Sequence, residues 1–416
     1  GINVQKTLTG RNWQEGDTFT FTLAAETDGA PMPSGDGNSV TITKETDKSA
    51  SFGSIEFTQE GTYEYKVTET AGDLGGITYD THSVTVTVSV TDTDHDGKLE
   101  ASISYDNKGG NTEADQKVED AAAFTNTYAP GGEVPVDPDK ETEGEITLTK
   151  VLEGKAWDGD EFTFEITAIE GTAADGTAIN AEDMPMPDPA TATVKAPDSE
   201  GGNSASIDFN TITFNAAGTY VYEVREAEGD NPNPGMSYSK NVATVTVTVR
   251  DNLQGGYSAV VNIKNGTFTN TYGTDLLYDD PDVDTDGLNV VKNLTGHDMA
   301  EGQFEFTLKA KDEASAQKAD IEGGLSKTFT NGEASHNEEG VSTDTMYPLS
   351  GMTFTQEDSG NTYTYTITET QGNADGYDYD PTEYTVTIKV TDDGNGTLTA
   401  TTTVTGGEGE QKYTYT

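Results

Sequence analysis

INVQKTLTG at residues 2–10 returns as ITLTKVLEG at 146–154 and as LNVVKNLTG at 288–296. In each copy the lysine shares its parity with apolar neighbours. Ile2, Val4 and Leu8 flank Lys6; Ile146, Leu148 and Leu152 flank Lys150; Leu288, Val290 and Leu294 flank Lys292. Side chains alternate between the two faces of a strand, so the pattern sends a primary amine into an apolar interior three times. An ammonium there is costly unless a partner neutralises it or a reaction consumes it.

Working outward, the repeated frame divides the 416 residues into three tandem copies. The expected repeats are 1–129, 144–273 and 287–416, joined by linkers at 130–143 and 274–286. The linkers are rich in Pro, Gly and acids and carry no apolar period, so they are expected to be extended and to hold the domains apart in a row. Inside each repeat the same strand signals recur: GDTFTFTL, GDEFTFEI and GQFEFTL, then GTYEYKVTE, GTYVYEVRE and NTYTYTITE, then SVTVTVSV, ATVTVTV and YTVTIKV. These alternate apolar with polar residues or are β-branched throughout, and no helical period of useful length appears. DTDHDG (92–97), DNLQGG (251–256) and DDGNG (392–396) read as hairpin turns. The fold class is therefore all-β: three immunoglobulin-like antiparallel β-sandwiches in an elongated array.

Composition narrows function by exclusion. With 23 Lys and Arg against 74 Asp and Glu the net charge is −51. Nucleic-acid binding needs cations to neutralise phosphates, so neither nucleic acid nor an anionic membrane surface is an expected partner. The bland reading is a soluble, self-repelling surface. There is no cysteine, so a covalent staple has to come from other chemistry. No stretch is long and apolar enough to cross a membrane, and no signal peptide precedes the first strand. The sequence reads as a mature or excised piece of something longer.

Two further residues join each lysine on the inward faces. In TYEYKVTE, Glu69 shares the parity of Tyr63, Tyr65 and Val67; Glu226 and Glu369 hold the same place in the second and third repeats. FTNTY closes the first repeat at 124–128 and the second at 268–272, which turns Asn126 and Asn270 inward with their aromatic neighbours. Asn126 follows Lys6 by 120 residues, and Asn270 follows Lys150 by the same 120. Desolvation favours a neutral amine beside a neutral acid, and a neutral amine is a nucleophile. Its attack on the carboxamide, with the acid relaying protons, expels ammonia and leaves an amide between the two side chains. The competing structural reading is a buried Lys–Glu ion pair with no bond formed.

Lysine, Y-x-Y-x-V-x-E and F-T-N-T-Y in this order resemble the streptococcal pilin isopeptide-linkage domains, a branch of the CnaB-type sandwiches of Gram-positive pili and adhesins. The resemblance covers essentially the whole chain. It implies Lys6–Asn126 and Lys150–Asn270 bonds joining first and last strands, with Glu69 and Glu226 assisting. It also implies a structural stalk or shaft segment at the cell surface, outside the cell, anchored to the wall through regions not in this chain. The chemistry would be a single intramolecular event, so the chain is not expected to be an enzyme, and no cofactor is expected. Neighbouring repeats are the expected partners. The alternative is a module binding host protein or glycan through a distinctive loop, for which the insertion at 312–346 is the place to look.

Repeat three departs from the pattern. Lys292 and Glu369 are present, but the sequence ends GGEGEQKYTYT without an FTNTY. Either the piece stops before its terminal strand or Tyr415 takes the asparagine's place; under both, Lys292 has no asparagine partner within this chain and an ion pair with Glu369 is the default.

Weaker signals have bland explanations. Trp13, Trp157 and Met299 share one loop position and read as core packing, with a carbohydrate platform the minority reading. Pro31-Met32-Pro33 recurs as Pro185-Met186-Pro187 and is missing from repeat three. Asp92, Asp94 and Asp96 open like a calcium loop but lack its final acid, so a plain turn is expected. Asp282, Asp284 and Asp286 show the same spacing and are a weak calcium candidate in a solvated spacer.

Overall fold

The computed structural model describes residues 1–139, 148–197, 202–229, 232–280, 287–407 and 411–415. In repeat one, a five-stranded antiparallel sheet runs in the order Ser39–Thr43, Thr18–Ala25, Gly61–Thr70, Ser83–Thr91, Glu100–Asp106. A four-stranded sheet holds Ser49–Ser51, Asn3–Thr9, Ala122–Tyr128 and Ile77–Thr78. Alternation along these strands builds the core: Phe19, Phe21, Tyr65, Val67, Val84 and Val86 are all at most 1% exposed. Repeat two builds the same two sheets, with Ala178–Ile179 as a sixth strand of the larger one and Thr149–Glu153 and Thr267–Tyr272 central in the smaller one.

The one parallel pairing in each of these smaller sheets decides the geometry of the site. Asn3–Thr9 runs parallel to Ala122–Tyr128, and Thr149–Glu153 runs parallel to Thr267–Tyr272. Parallel neighbours cannot be joined by a hairpin, and here nearly the whole domain serves as the crossover. First and last strands therefore lie side by side although they stand at opposite ends of the repeat.

Repeat three keeps the larger sheet, and among the described residues the smaller one is represented by two strands. Ser326–Thr330, Glu305–Ala310, Thr362–Glu369, Glu383–Asp392, Leu398–Thr405 and Gln411–Tyr415 form six antiparallel strands. The lysine strand, Val290–Thr295, pairs with Val341–Met346 alone among the described strands. The insertion contributes a helix, Glu313–Lys318, capped by Asp312 Oδ1 accepting from the Ser315 N–H at 2.8 Å. Six residues are too few to show a helical period, which is why the sequence reading contained no helix. The helix replaces the Pro-Met-Pro segment. Tyr65 and Tyr222 donate to the carbonyls of Pro31 and Pro185, whereas Tyr365 donates to that of Ser315.

The linkers differ from the expected spacers. Val134–Val136 pairs antiparallel with Ile212–Phe214 of repeat two, and Asp275–Leu277 pairs with Thr353–Thr355 of repeat three. Val136, Leu276 and Tyr278 are buried, so apolar residues inside acidic stretches draw each linker onto the domain that follows. The repeats also touch instead of standing apart. Tyr128 donates to Asp251 Oδ1 at 2.6 Å and accepts from the Gly255 N–H at 3.1 Å. Tyr272 makes the same pair of bonds to Asp392 and Gly396, each at 2.8 Å. The hairpin turns expected at 251–256 and 392–396 thus double as sockets for the preceding repeat's last tyrosine.

Candidate functional site

In repeat one the three inward residues meet on a single carboxylate. Lys6 Nζ donates to Glu69 Oε2 at 2.8 Å, and Asn126 Nδ2 donates to Glu69 Oε1 at 2.8 Å. The carboxamide's other end is held too, because the Asp80 backbone N–H donates to Asn126 Oδ1 at 2.7 Å. Lys6 and Glu69 side chains are both wholly shielded from solvent. The walls are aromatic: Lys6 Nζ lies 5.0 Å from the Phe19 ring centroid and 5.8 Å from that of Phe21. Burial pushes the Lys6 ammonium below its usual 10.5 against the pull of Glu69. Burial pushes the Glu69 carboxyl up, opposed by Lys6 and by the Asn126 hydrogen bond. Both shifts tilt the pair toward neutral amine and neutral acid.

Repeat two builds the same arrangement. Lys150 Nζ reaches Glu226 Oε1 and Oε2 at 3.0 and 2.9 Å, and Asn270 Nδ2 donates to Glu226 Oε1 at 2.7 Å. The Ser239 N–H donates to Asn270 Oδ1 at 2.8 Å. Lys150 Nζ sits 4.4 Å from the Phe162 ring centroid. Burial lowers the Lys150 pKa to about 8, outweighing the hydrogen bond and charge of Glu226.

Repeat three has the lysine and the acid but a different third contact. Lys292 Nζ donates to Glu369 Oε1 at 2.6 Å, with side chains 12% and 3% exposed. The Asp380 N–H, which follows Tyr379 as Asp80 follows Tyr79, donates to Glu369 Oε2 at 2.8 Å. The donor that elsewhere grips the asparagine oxygen is here turned onto the glutamate. The expected Lys292–Glu369 ion pair is present. The side chain of Tyr415, the other residue weighed for the asparagine's place, lies outside the described residues, as do Asp282, Asp284 and Asp286.

The chain matches the FctA family model, described as a Spy0128-like isopeptide containing domain, at residues 2–129, 146–273 and 288–416. The chain belongs to this family. As an FctA-family chain it is similar in structure to the T-13 major pilin of Streptococcus pyogenes, at 16% identity and a TM-score of 0.25, over 65% of this chain and 96% of that one. Another major pilin of Streptococcus pyogenes aligns at 19% identity and a TM-score of 0.25, over 65% of this chain and 97% of that one. No curated protein matches.

Several residues that hold the site escaped the sequence reading. The Asp80 and Ser239 N–H donors are backbone groups of residues that differ in kind, so side-chain identity carries no signal for them. Asp80 Oδ2 also accepts from the Thr125 N–H at 3.1 Å, and Thr125 Oγ1 donates to Asp115 at 2.8 Å. Gly10 and Gly154 take positive φ of 88° and 90°, and a Cβ there would lie 2.0 and 1.9 Å from the carbonyl oxygens of Tyr128 and Tyr272. Their recurrence after each lysine strand was the available signal for this close approach. Met299 and Trp157 are buried and Trp13 packs partly buried against Phe19, as core packing requires. Asp92, Asp94 and Asp96 bring carboxylate oxygens within 4.8 Å of one another. They accept from the N–H groups of Gly97, Asp96 and Lys98 respectively, which is the turn chemistry of a hairpin.

Proposed function

We propose that this chain is a load-bearing shaft or stalk segment of a Gram-positive surface pilus or adhesin, and that repeats one and two each close an amide between Lys6 and Asn126 and between Lys150 and Asn270. The observation that carries the reading is the shared carboxylate: one buried acid touches both the amine and the carboxamide nitrogen in each repeat.

The arrangement favours the reaction at each step. Desolvation supplies a neutral amine. The Asp80 or Ser239 N–H polarises the carboxamide oxygen and stabilises charge that develops there during attack. Nζ bonds to the carboxamide carbon, the bond from that carbon to Nδ2 breaks, and the glutamate carries a proton from Nζ to Nδ2. Ammonia leaves, the glutamate is regenerated, and no outside reagent is consumed. Folding alone provides the proximity.

The parallel pairing gives the bond its mechanical role. The first strand enters at one end of the smaller sheet and the last strand leaves at the other. Tension on the chain therefore shears the two strands past each other. A covalent bond between them carries that load without unfolding the sandwich, and unlike a disulfide it is indifferent to reductant. The absence of cysteine fits such a device.

Intact mass is the test. Two bonds predict a mass lower than the sequence by two ammonia molecules, with cross-linked peptides joining Lys6 to Asn126 and Lys150 to Asn270. A mass equal to that of the sequence overturns the reading.

A further inference from the structure

Each linker strand covers the same place on the domain that follows it. Val134 stands opposite Phe214, and Val136 opposite Ile212. At the next joint Leu276 stands opposite Phe354, and the Tyr278 N–H donates to the Met352 carbonyl at 2.9 Å. Both strands also lie against the strand that follows the hairpin turn, Tyr257–Lys264 in repeat two and Leu398–Thr405 in repeat three. There Tyr278 and Thr402 share a hydroxyl hydrogen bond of 2.6 Å. The spacing is the same at both joints. Val134 and Leu276 precede their lysines, Lys150 and Lys292, by 16 residues, and Val136 and Tyr278 precede them by 14.

Repeat one has the same trough without a cover. Phe57 packs on Tyr63 at 4.9 Å between ring centroids, as Phe214 packs on Tyr220 at 4.7 Å and Phe354 on Tyr363 at 5.5 Å, so the three phenylalanines hold equivalent places. Phe214, Phe354, Ile212 and Met352 are buried, whereas Phe57 and Ile55 are half-buried. Cross-strand register identifies the other wall. Ile103 stands opposite Val88, Val261 opposite Val247 and Thr402 opposite Ile388, and each of these partners is in the core. Val261 and Thr402 are 4% and 1% exposed, but Ile103 is 36% exposed, and Leu99, of the same parity, is 38% exposed. Strand faces alternate, so Leu99 and Ile103 are turned to the inner side of the sheet and still meet solvent. Among the described residues no strand pairs with residues 54–58. An apolar face of this kind marks a place where something docks.

We propose that repeat one carries a docking trough for an extended strand, filled by a segment of the same polypeptide that runs into Asn3–Thr9, lies antiparallel to residues 55–57, and bears apolar side chains 16 and 14 places ahead of Lys6. Both places fall ahead of Gly1. The first side chain stands opposite Phe57, the second opposite Ile55, and between them they cover Leu99 and Ile103. The same polypeptide is the source because each observed cover is the stretch leading into its own repeat's lysine strand, and both covers within this chain are engaged on repeats two and three. Apolar burial holds the strand, so the docking does not depend on amide formation at Lys6.

The test grafts a copy of residues 130–144 onto the full chain directly ahead of Gly1, which sets the copied valines 16 and 14 places before Lys6. Relative to the ungrafted chain, hydrogen exchange at Ile55, Glu56 and Phe57 is expected to slow, and the unfolding midpoint of repeat one to shift upward. A graft carrying Val134→Ser and Val136→Ser in the copied stretch is expected to do neither. Equal exchange in grafted and ungrafted chains overturns the proposal, and so does equal protection by the serine graft. Light scattering of the ungrafted chain is expected to give a monomer; a dimer that shields Leu99 and Ile103 makes a second copy the occupant and overturns the proposal. Intact-protein sequencing of the native polypeptide tests the source. Apolar residues at both places are expected, and polar residues there, or a native chain that starts at Gly1, overturn it.

Discussion

Lys6 and Asn126 reach the same carboxylate, each at 2.8 Å from an oxygen of Glu69, from strands that run parallel. The acid can therefore relay a proton between the two nitrogens without moving. Asn126→Ala removes the acceptor and leaves Lys6 and Glu69 as a buried ion pair. The variant is expected to regain one ammonia in intact mass while repeat two keeps its deficit. By analogy with a cross-link closing a loop of similar length, repeat one should lose about 4–5 kcal/mol of stability. Urea unfolding followed through Trp13 fluorescence reports the change, since Trp13 packs on Phe19 in repeat one.

Lys150 offers a pH signature. In Asn270→Ala the amine stays free, with its pKa lowered from 10.5 to about 8 by burial. Between those values the unfolded chain binds more protons at this site than the folded one, so stability rises with pH across the window. Below about 8 both states are protonated and the dependence vanishes. The unmodified chain, with Lys150 consumed, should lack this rise. Denaturation midpoints of the two proteins at several pH values across the window measure the difference; parallel curves would show that Lys150 is free in both.

The site was legible where it depended on strand parity and opaque where it depended on backbone. Alternation placed Lys6, Glu69 and Asn126 inward because a strand's faces repeat every two residues, and the same rule placed Lys150, Glu226 and Asn270. No parity rule says which backbone N–H will face Asn126 Oδ1, so the donors at Asp80 and Ser239 emerged only with the fold. The linkers misled because Val134, Val136 and Leu276 are few among many acids, yet three residues suffice to pair a short strand with one strand of the following domain in a two-stranded sheet. The tyrosine closing FTNTY was read as another inward aromatic. Its ring is buried as expected, and its hydroxyl goes on to bind the next repeat.

That hydroxyl makes the joint between repeats testable. Tyr128→Phe keeps the ring under the Arg11 guanidinium, 4.8 Å away, and removes only the bonds to Asp251 and Gly255. Each lost bond is worth about 0.5–1.5 kcal/mol. Repeat one should keep its own melting behaviour, while the distance between spin labels on repeats one and two broadens. Tyr272→Phe should do the same between repeats two and three, where Lys155 takes the place of Arg11 over the ring at 4.8 Å.

Gly154 and Gly296 hold nearly the same φ, 90° and 89°, but differ in what stands beside them. Gly296→Ala should cost only the strain of a left-handed alanine, about 1 kcal/mol. Gly154→Ala carries the same strain and also drives a methyl to 1.9 Å from the Tyr272 carbonyl, where only backbone can yield. Overpacking of that kind adds about 1–3 kcal/mol. Calorimetry of the two single variants should therefore show a clearly larger loss for Gly154→Ala.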